Sequence, residues 1–340
     1  GVRLGPRHGP WCQGAWSVTL VLSGETMAFQ LFYVNFTIAF LLTGFAVGCI
    51  GGSVGTGGER YGFEMSYFDE IAGGRAGPCY LWAISGGVIW NVANILLCKG
   101  IGMMGNAVGF PLCVGLGMVT GAVVGYANDP KSNLALLVPG IGVALCGIFA
   151  VGFLSYLKER ELDESDSDGS EDGSASALNC DFVDESISDS DASVALTAEA
   201  GMFKKLVVCI VGGLFLGLSN IGVGRATSVP CNLSPYGNQT YFSIGVFLSS
   251  LVLVPLITRM PLEGGKGRSI FDVLAEYPGV STRDHLLAAL GGVILCAGFF
   301  FFNLGNKPLG LTITYCIGQS APLVGILWGT FFFREFAGTS

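Results

Sequence analysis

The sequence is poor in charged residues and in histidine. Only 12% of its 340 residues are charged, and the two histidines, His8 and His285, lie far apart. The eleven cysteines are scattered singly and form neither a C-x-x-C pair nor a cluster with histidine, the spacings typical of bound zinc. The sequence therefore predicts no metal site and no cofactor, and its cysteines are expected to be reduced structural thiols.

Basic patches and catalytic clusters are missing as well. The sequence has no concentration of Lys and Arg that would indicate nucleic acid as a partner. A membrane-embedded enzyme needs convergent His, Asp, Glu or Cys groups at membrane depth. Of these groups, the apolar runs contain only isolated cysteines and His285, which lies at the very start of one run. We therefore expect no enzymatic activity.

Long uncharged runs dominate the chain instead. Hydrophobic residues make up 51% of it, and eight stretches without Asp, Glu, Lys or Arg reach the length of about 20 residues that a helix needs to cross the hydrocarbon. The 53 glycines fit such helices because small residues let neighbouring backbones approach closely. We predict an all-α, polytopic protein of the lipid bilayer, with a polar loop at 230–239 and one helix in each of the stretches 30–58, 76–98, 100–128, 132–157, 206–224, 226–258, 285–306 and 308–333.

The negative charge is concentrated in one segment. Between Lys158 and Lys205 there are 14 acidic and 4 basic side chains, although the whole chain has a net charge of only −8. Residues 161–191 are acidic and serine-rich, and they cannot bury enough apolar surface to become ordered. The predicted organisation is a first membrane half (11–157), a disordered cytosolic loop (158–205) and a second membrane half (206–340).

The positive charges indicate an orientation. With the acidic loop in the cytosol, ten Lys and Arg residues lie on the cytosolic side and five on the other, as the positive-inside rule requires. This orientation places the Asn238-Gln-Thr240 sequon outside, where Asn238 is a candidate for glycosylation. We expect a multi-pass protein of the plasma membrane rather than of an internal membrane.

An internal repeat is the most informative pattern. Gly86-Gly-Val-Ile89 recurs 205 residues later as Gly291-Gly-Val-Ile294. Each copy opens a helix that is followed by a short turn and another helix. If each repeat holds an odd number of helices, the two halves cross the membrane in opposite directions, as in many secondary transporters, and form a solute site between them.

Several short motifs occur in an order and spacing shared with a known transporter family. They are Leu22-Ser-Gly24 with FQLFYVNF at 29–36, GGVIWNVANI at 86–95, Asp129-Pro-Lys-Ser-Asn133 with Val138-Pro-Gly140, Leu233-Ser-Pro-Tyr236, and Gly318-Gln-Ser-Ala-Pro-Leu-Val324 with Trp328-Gly and Arg334-Glu-Phe336. From residue 11 onwards the chain resembles the ureide permease family of the drug/metabolite transporter superfamily. The resemblance implies a ten-helix inverted-repeat fold, with helix 1 mostly missing here (its end being residues 11–22) and helix 10 missing.

The resemblance also implies a function. It points to a secondary transporter that moves a ureide or oxo-nitrogen heterocycle, such as allantoin or uracil, by alternating access. Plant ureide permeases carry a nucleotide-binding-like motif in the central loop, whereas residues 158–205 contain no G-x-x-x-x-G-K-[ST], so ATP binding is not expected. No apolar run contains a carboxylate for proton coupling, and a coupling proton, uniport and exchange all stay open.

Two asparagines on helix 3 are the first candidates for binding a small polar solute. Gly87, Asn91, Asn94 and Cys98 recur at helical spacing and form one stripe. An amide offers both a hydrogen-bond donor and an acceptor without burying a charge. The alternative is that Asn91 and Asn94 bond to neighbouring helices and stabilise their packing.

Helices 6 and 9 supply the other polar candidates. Asn220 shares a face of helix 6 with glycines that are typical of close packing. On helix 9, Tyr315, Gln319 and Pro322 share a face that combines an aromatic ring, an amide and a freed backbone carbonyl. The resemblance places the Gln-x-x-Pro segment in a family motif, which favours binding over packing there.

Trp90 and Trp328 are candidates for stacking on a flat solute, although a tryptophan near a helix end often anchors the membrane interface. Relatives in the superfamily carry sugars or nucleotide sugars, which gives an alternative solute. Phosphorylated sugars need buried Arg or Lys, and Lys99 and Arg225 lie merely near helix ends. A further alternative is a non-transporting sensor or scaffold that recruits a partner through the acidic loop, against which the repeat and the polar stripes argue.

Overall fold

The computed structural model describes residues 9–24, 26–54, 67–74, 77–105, 108–128, 133–167, 191–262 and 267–319. Within these residues all regular structure is helical, which confirms the all-α class. Short helical turns lie at Tyr67–Asp69, Glu70–Gly74, Ile270–Ala275 and Tyr277–Gly279. The longer helices are α1 (Gly9–Gly24), α2 (Phe29–Val54), α3 (Gly77–Met104), α4 (Gly109–Asn128), α5 (Leu134–Ser167), α6 (Asp191–Thr227), α7 (Pro235–Arg259), α8 (Thr282–Leu309) and α9 (Leu311–Gly318).

Among the described residues, six helices are long and apolar enough to cross a membrane: α2, α3, α4, α6, α7 and α8. Helix α5 has a shorter apolar stretch, Leu134–Ala150, whose large side chains point outwards. Leu136, Val143 and Phe149 are exposed over 75%, 74% and 74% of their surface, as on a helix that faces lipid. The chain is therefore a multi-pass membrane protein.

One pair of cysteines forms a disulfide, and the expectation of reduced thiols is wrong for it. Cys79, at the start of α3, and Cys231, between α6 and α7, have Cα atoms 5.3 Å apart. The two are separated by 152 residues, so no local spacing could have predicted their pairing. We call the end of the helix bundle that holds this bond the disulfide side and the other end the opposite side.

Two of the helix boundaries that differ from the predicted ones have a clear physical reason. Helix α3 continues through Lys99 to Met104, because the Lys99 ammonium lies over the Phe29 ring, 4.2 Å from its centroid, and is stabilised inside the bundle. Helix α7 begins at Pro235, within the stretch that was expected to be a loop. The Ser234 hydroxyl caps this helix by accepting a bond from the Gly237 N–H at 3.0 Å, and proline is well suited to a first helical turn.

The ends of the acidic segment are helical rather than disordered. Helix α5 extends to Ser167 and α6 begins at Asp191, so parts of the loop predicted for 158–205 continue the neighbouring helices. Glu, Lys, Leu and Ala favour helix, and the extension of an existing helix avoids the cost of nucleation. The centre of the predicted loop, residues 168–190, lies outside the described residues.

The two copies of the Gly-Gly-Val-Ile motif make matching contacts. A Cβ atom on Gly87 of α3 would lie 2.2 Å from the backbone oxygen of Phe242 in α7. A Cβ atom on Gly292 of α8 would lie 2.2 Å from the backbone oxygen of Phe36 in α2. Helix α3 therefore packs backbone to backbone against α7, and α8 does the same against α2.

Candidate functional site

Side chains from α1, α3, α4, α6, α8 and the end of α9 line a partly open cavity, with about 310 Å³ of empty space when the adjoining open solvent is included. The other wall residues are Leu, Val and Phe, and the six used below are Trp16, Trp90, Asn94, Leu216, Phe299 and Gln319. In the described part of the chain, this wall combines aromatic and aliphatic surface with two amides and no charged side chain. Small-molecule sites are typically mostly apolar, with a few polar groups that orient the ligand.

Asn94 contributes an unused hydrogen-bond acceptor to the cavity wall. The residue is 1% exposed, and its Nδ2 donates to the Tyr33 hydroxyl at 3.0 Å. Its Oδ1 is buried, and no described group donates to it. A buried acceptor without a donor costs about 1–3 kcal/mol, so the geometry fits a ligand or water that supplies an N–H or O–H.

Asn91, one turn away, is better explained by packing. Its Oδ1 accepts from the Tyr33 hydroxyl at 2.7 Å, and its Nδ2 donates to Ser249 and Ser250 at 2.8 and 3.0 Å. These bonds join α3 to α2 and α7. Asn91 is not part of the cavity wall. Of the two alternatives for the stripe, helix packing therefore applies to Asn91, and Asn94 is the candidate for binding a solute.

Gln319 reaches the cavity and Tyr315 does not. Gln319 directly follows α9, lies in the wall and is 8% exposed. The Tyr315 hydroxyl instead donates to the backbone oxygen of Leu216 at 3.2 Å, and its ring occupies space that a Cβ atom on Gly121 would fill. Tyr315 therefore joins α9 to α4 and α6. Two further candidates, Pro322 and Trp328, lie outside the described residues.

Asn220 is buried on α6 but lies outside the cavity wall. Its Nδ2 has no acceptor among the described residues. The glycines on its face pack closely, since Cβ atoms on Gly213 and Gly217 would lie 2.6 and 2.5 Å from atoms of α4. The cavity thus brings Asn94 together with Gln319, and not with Asn220.

Asn238 is not accessible for glycosylation in this structure. It lies in the first turn of α7 and is 0% exposed. Its Nδ2, the atom that would carry a glycan, donates to Asn303 of α8 at 2.9 Å. The sequon therefore falls inside a packed helix rather than on a surface loop, and the expectation of a glycan is not supported.

A layer of buried aromatic rings closes the cavity towards the disulfide side. Trp90 and Phe299, both in the wall, lie 5.7 and 5.1 Å from Phe242 by ring centroids. Phe40 of α2 lies 5.6 Å from Trp90. Phe242 is two turns from the start of α7, so the rings separate the cavity from that end of the bundle. Trp90 belongs to this layer and not to the membrane interface.

A buried carboxylate lies at the disulfide side. Glu70 is 1% exposed, and it accepts hydrogen bonds from the backbone N–H and the hydroxyl of Ser234 at the start of α7, where the helix dipole favours a negative charge. Three residues earlier, the Tyr67 hydroxyl lies 3.1 Å from the Thr240 hydroxyl. Burial raises the pKa of the Tyr67 phenol, which keeps it neutral. The segment before α3 is thereby attached to α7.

Sequence reasoning missed most of the cavity wall and the residue that orients Asn94. Trp16 and Phe299 line the cavity, and Tyr33 orients Asn94. Tyr33 lies in the FQLFYVNF motif, and Phe299 follows the second Gly-Gly-Val-Ile copy. These motifs therefore indicated the regions of the chain in which the two residues lie. Aromatic residues occur throughout these apolar helices, however, and their spacing does not separate cavity-facing from lipid-facing positions.

Comparison with known proteins assigns no family, because no family model, no curated protein and no solved structure matches the chain. The fold and the cavity define a class on their own. The protein is an all-α, multi-pass membrane protein with an uncharged cavity between its described helices, an architecture compatible with a transporter.

Proposed function

We propose that the protein is a secondary transporter that moves a small, uncharged polar solute across the membrane by alternating access. The solute class that fits the site is a ureide or oxo-nitrogen heterocycle, of which allantoin and uracil are examples, in agreement with the resemblance to the ureide permease family. Asn94 and Gln319 bind its polar edge, and Trp90 packs on its face.

The observation that carries this proposal is the unused Oδ1 of Asn94. This buried acceptor lies in the wall of a cavity that also holds the amide of Gln319 and the ring of Trp90. A planar heterocycle with N–H and C=O groups can donate to Asn94, bond to Gln319 and pack its faces against aromatic rings. The site therefore supplies one partner for each type of group on such a solute.

The uncharged wall supports a neutral solute over a phosphorylated one. Burying a phosphate requires a compensating positive charge, and none of the wall residues is Arg or Lys. Neutral sugars are the alternative within the superfamily, since their hydroxyl groups can also donate to Asn94. Competition between the two solute classes decides between them.

The glycine contacts support the inverted-repeat fold. The contact of α3 with α7 corresponds to that of α8 with α2. One residue earlier, a Cβ atom on Gly86 would lie 3.3 Å from the backbone oxygen of Ser219 in α6, and one on Gly291 would lie 2.3 Å from the hydroxyl of Thr19 in α1. Corresponding helices are thus five apart in the chain, an odd number that makes the halves antiparallel, as in the ten-helix fold that the resemblance implies.

The disulfide supports the orientation that the positive charges predict. Disulfides form and persist in oxidising compartments and are rare in the cytosol. We therefore place Cys79 and Cys231 on the extracytosolic side, which for a plasma-membrane protein is the outside of the cell. Helix α6 spans the membrane and ends close to Cys231, so its start at Asp191 then lies in the cytosol. With α5 as a further span, the end of α5 at Ser167 lies there too.

The test is the uptake of radiolabelled allantoin and uracil by cells that display the full-length protein at the plasma membrane. We expect saturable uptake that excess unlabelled ureide blocks and excess glucose does not. Uptake that glucose blocks would assign the protein to the sugar alternative. Verified surface protein without saturable uptake of either labelled solute would contradict the proposal.

A further inference from the structure

Three buried amides lie between α7 and α8. Asn238 Nδ2 donates to Asn303 Oδ1 at 2.9 Å, and Asn303 Nδ2 donates to Gln239 Oε1 at 2.8 Å. Their side chains are 0%, 3% and 0% exposed for Asn238, Asn303 and Gln239. We call these three residues the amide cluster.

The amide cluster lies one helical turn beyond the aromatic layer. Asn238 precedes Phe242 by four residues on α7, and Asn303 follows Phe299 by four residues on α8. Each amide therefore shares a helix face with a ring and stands about 6 Å further towards the disulfide side. We call the stacked rings of Phe242 and Phe299 the ring pair. From the disulfide side inwards, the order is amide cluster, ring pair and cavity.

The hydrogen bonding of the amide cluster is incomplete. Asn238 Oδ1 is buried and has no partner among the described residues. Gln239 Nε2 contacts Cys296 Sγ at 3.3 Å and Ser243 Oγ at 3.4 Å, and sulfur is a weak acceptor while 3.4 Å is long for an N–H···O bond. One matched amide pair would suffice to join two helices, whereas an added unpartnered acceptor costs stability. Packing alone therefore does not account for the cluster.

The ring pair below the cluster can open while the Gly87 and Gly292 backbone contacts are kept. These two contacts join α3 to α7 and α8 to α2, so Phe242 and Phe299 belong to different helix pairs. The opening has to loosen the contact of Gly44 in α2 with the Ser243 side chain in α7, which crosses between the pairs. Their rings stack with centroids 5.1 Å apart. A movement of one helix pair relative to the other separates the rings and also breaks the bonds that Asn303 makes to α7, which frees the amides.

We propose that the amide cluster is an outer binding subsite, which takes up the solute from the disulfide side before the Phe242–Phe299 ring pair opens and admits it to the cavity. This inference rests on the proposed transport function and adds an entry site and a gate to it. The ligand is an uncharged solute with adjacent N–H and C=O groups. Its N–H donates to Asn238 Oδ1, and its carbonyl accepts from Gln239 Nε2 in place of the weak contact to Cys296.

Cys296 is a native reporter for this proposal, because its thiol contacts Gln239 and is 0% exposed in the closed arrangement. Cells that display the full-length protein at the plasma membrane are treated from outside with a membrane-impermeant maleimide. The labelled fraction of Cys296 is then measured by mass spectrometry. Cys209, a buried thiol near the opposite end of α3, is the internal control; it lies 2.8 Å from a Cβ atom built on Gly100.

We expect Cys296 to be labelled over time while Cys209 stays unlabelled. Labelling becomes faster in Phe299→Ala, which removes half of the ring pair, and it is lost when saturating allantoin or uracil is present. Labelling of Cys296 that stays at the level of Cys209 in both proteins would overturn the gate. Labelling that neither solute slows would overturn the subsite. Both results come from the labelling of Cys296 and do not depend on transport. Failure of the proposed function is instead detected as absent uptake of solute in untreated cells.

A matched pair of variants separates binding from packing. Asn238→Ala raises the allantoin concentration that halves the labelling of Cys296 by about three- to tenfold, the worth of one hydrogen bond. Asn128→Ala, which removes an exposed amide at the end of α4, leaves this concentration unchanged. An unchanged concentration in Asn238→Ala, at wild-type surface level, would overturn the assignment.

Discussion

The Tyr33 hydroxyl accepts a hydrogen bond from Nδ2 of Asn94 at 3.0 Å and so fixes the amide that lines the cavity. The same hydroxyl donates to Oδ1 of Asn91 at 2.7 Å. One tyrosine on α2 thus holds both asparagines of α3, and it leaves the carbonyl of Asn94 free for another donor. The two asparagines consequently have different roles.

This difference predicts unequal effects of the two substitutions on stability. Asn91→Ala removes bonds to Tyr33, Ser249 and Ser250 and leaves buried groups unpaired, so we expect it to lower the free energy of unfolding by about 1–3 kcal/mol. Asn94→Ala removes one bond and also an unpaired acceptor, so its effect should be within about 1 kcal/mol. Thermal unfolding of the detergent-purified variants measures both, and a larger loss for Asn94→Ala would contradict the assignment.

The stripe on α3 shows where sequence reasoning was sufficient and where it was not. Helical spacing correctly placed Asn91 and Asn94 close together on one helix. It could not separate them, because their roles depend on which side chains α2 and α7 bring to each turn. Tyr33 and the serines at 249 and 250 are distant in sequence, and nothing in α3 itself indicates them.

The paired glycines predict a symmetric sensitivity to an added methyl group. Gly87→Ala and Gly292→Ala each place a Cβ atom 2.2 Å from a backbone oxygen, and overpacking of this kind costs about 1–3 kcal/mol. Gly102→Ala, also on α3, meets nothing within 4 Å and should be neutral or stabilising, because alanine favours helix. The midpoint of thermal unfolding checks the series. Equal midpoints for all three variants would contradict the close contacts.

The disulfide predicts a loss of stability when it is removed. Cys79→Ser opens a long covalent loop, and we expect the free energy of unfolding to fall by about 2–4 kcal/mol. Cys146→Ser, which changes an exposed free thiol on α5, is the matched control and should have little effect. Thermal unfolding provides the comparison. Alkylation of Cys79 in the unreduced, denatured wild-type protein would show that the bond is absent.

Glu70 predicts a separate effect at the start of α7. Glu70→Gln replaces a carboxylate that accepts two bonds from Ser234 with an amide that has one acceptor and no charge. We expect a loss of about 1–3 kcal/mol, the worth of hydrogen bonds to a charged group. The control is Asp272→Asn in the exposed turn before α8, expected to lie within about 0.5 kcal/mol of the wild type. Equal stability of both variants would contradict the conclusion that Glu70 stabilises the start of α7.

The helices themselves were the most predictable part of the fold. Uncharged runs of about 20 residues indicate membrane spans whatever their neighbours, and six of the eight predicted runs hold a described span. The apolar stretch of α5 is shorter than a span, and most of the run 308–333 lies outside the described residues. The errors lie where tertiary contacts override local composition. Lys99 stays inside α3 because Phe29 covers its ammonium, and Glu70 is buried because Ser234 donates to it. A search for uncharged stretches places both residues outside the predicted helices, because it counts every charged side chain as a boundary.

The most direct test of the central claim compares uptake of radiolabelled allantoin and uracil by the full-length wild type, Asn94→Leu and Asn128→Leu at equal surface level. Removing the Asn94 carbonyl takes away the acceptor for the solute's N–H, and a buried polar group left without its partner typically costs about 1–3 kcal/mol. We predict that Asn94→Leu lowers kcat/KM by about five- to 150-fold, while Asn128→Leu transports like the wild type. Equal uptake by all three proteins would contradict the claim that this cavity binds the solute.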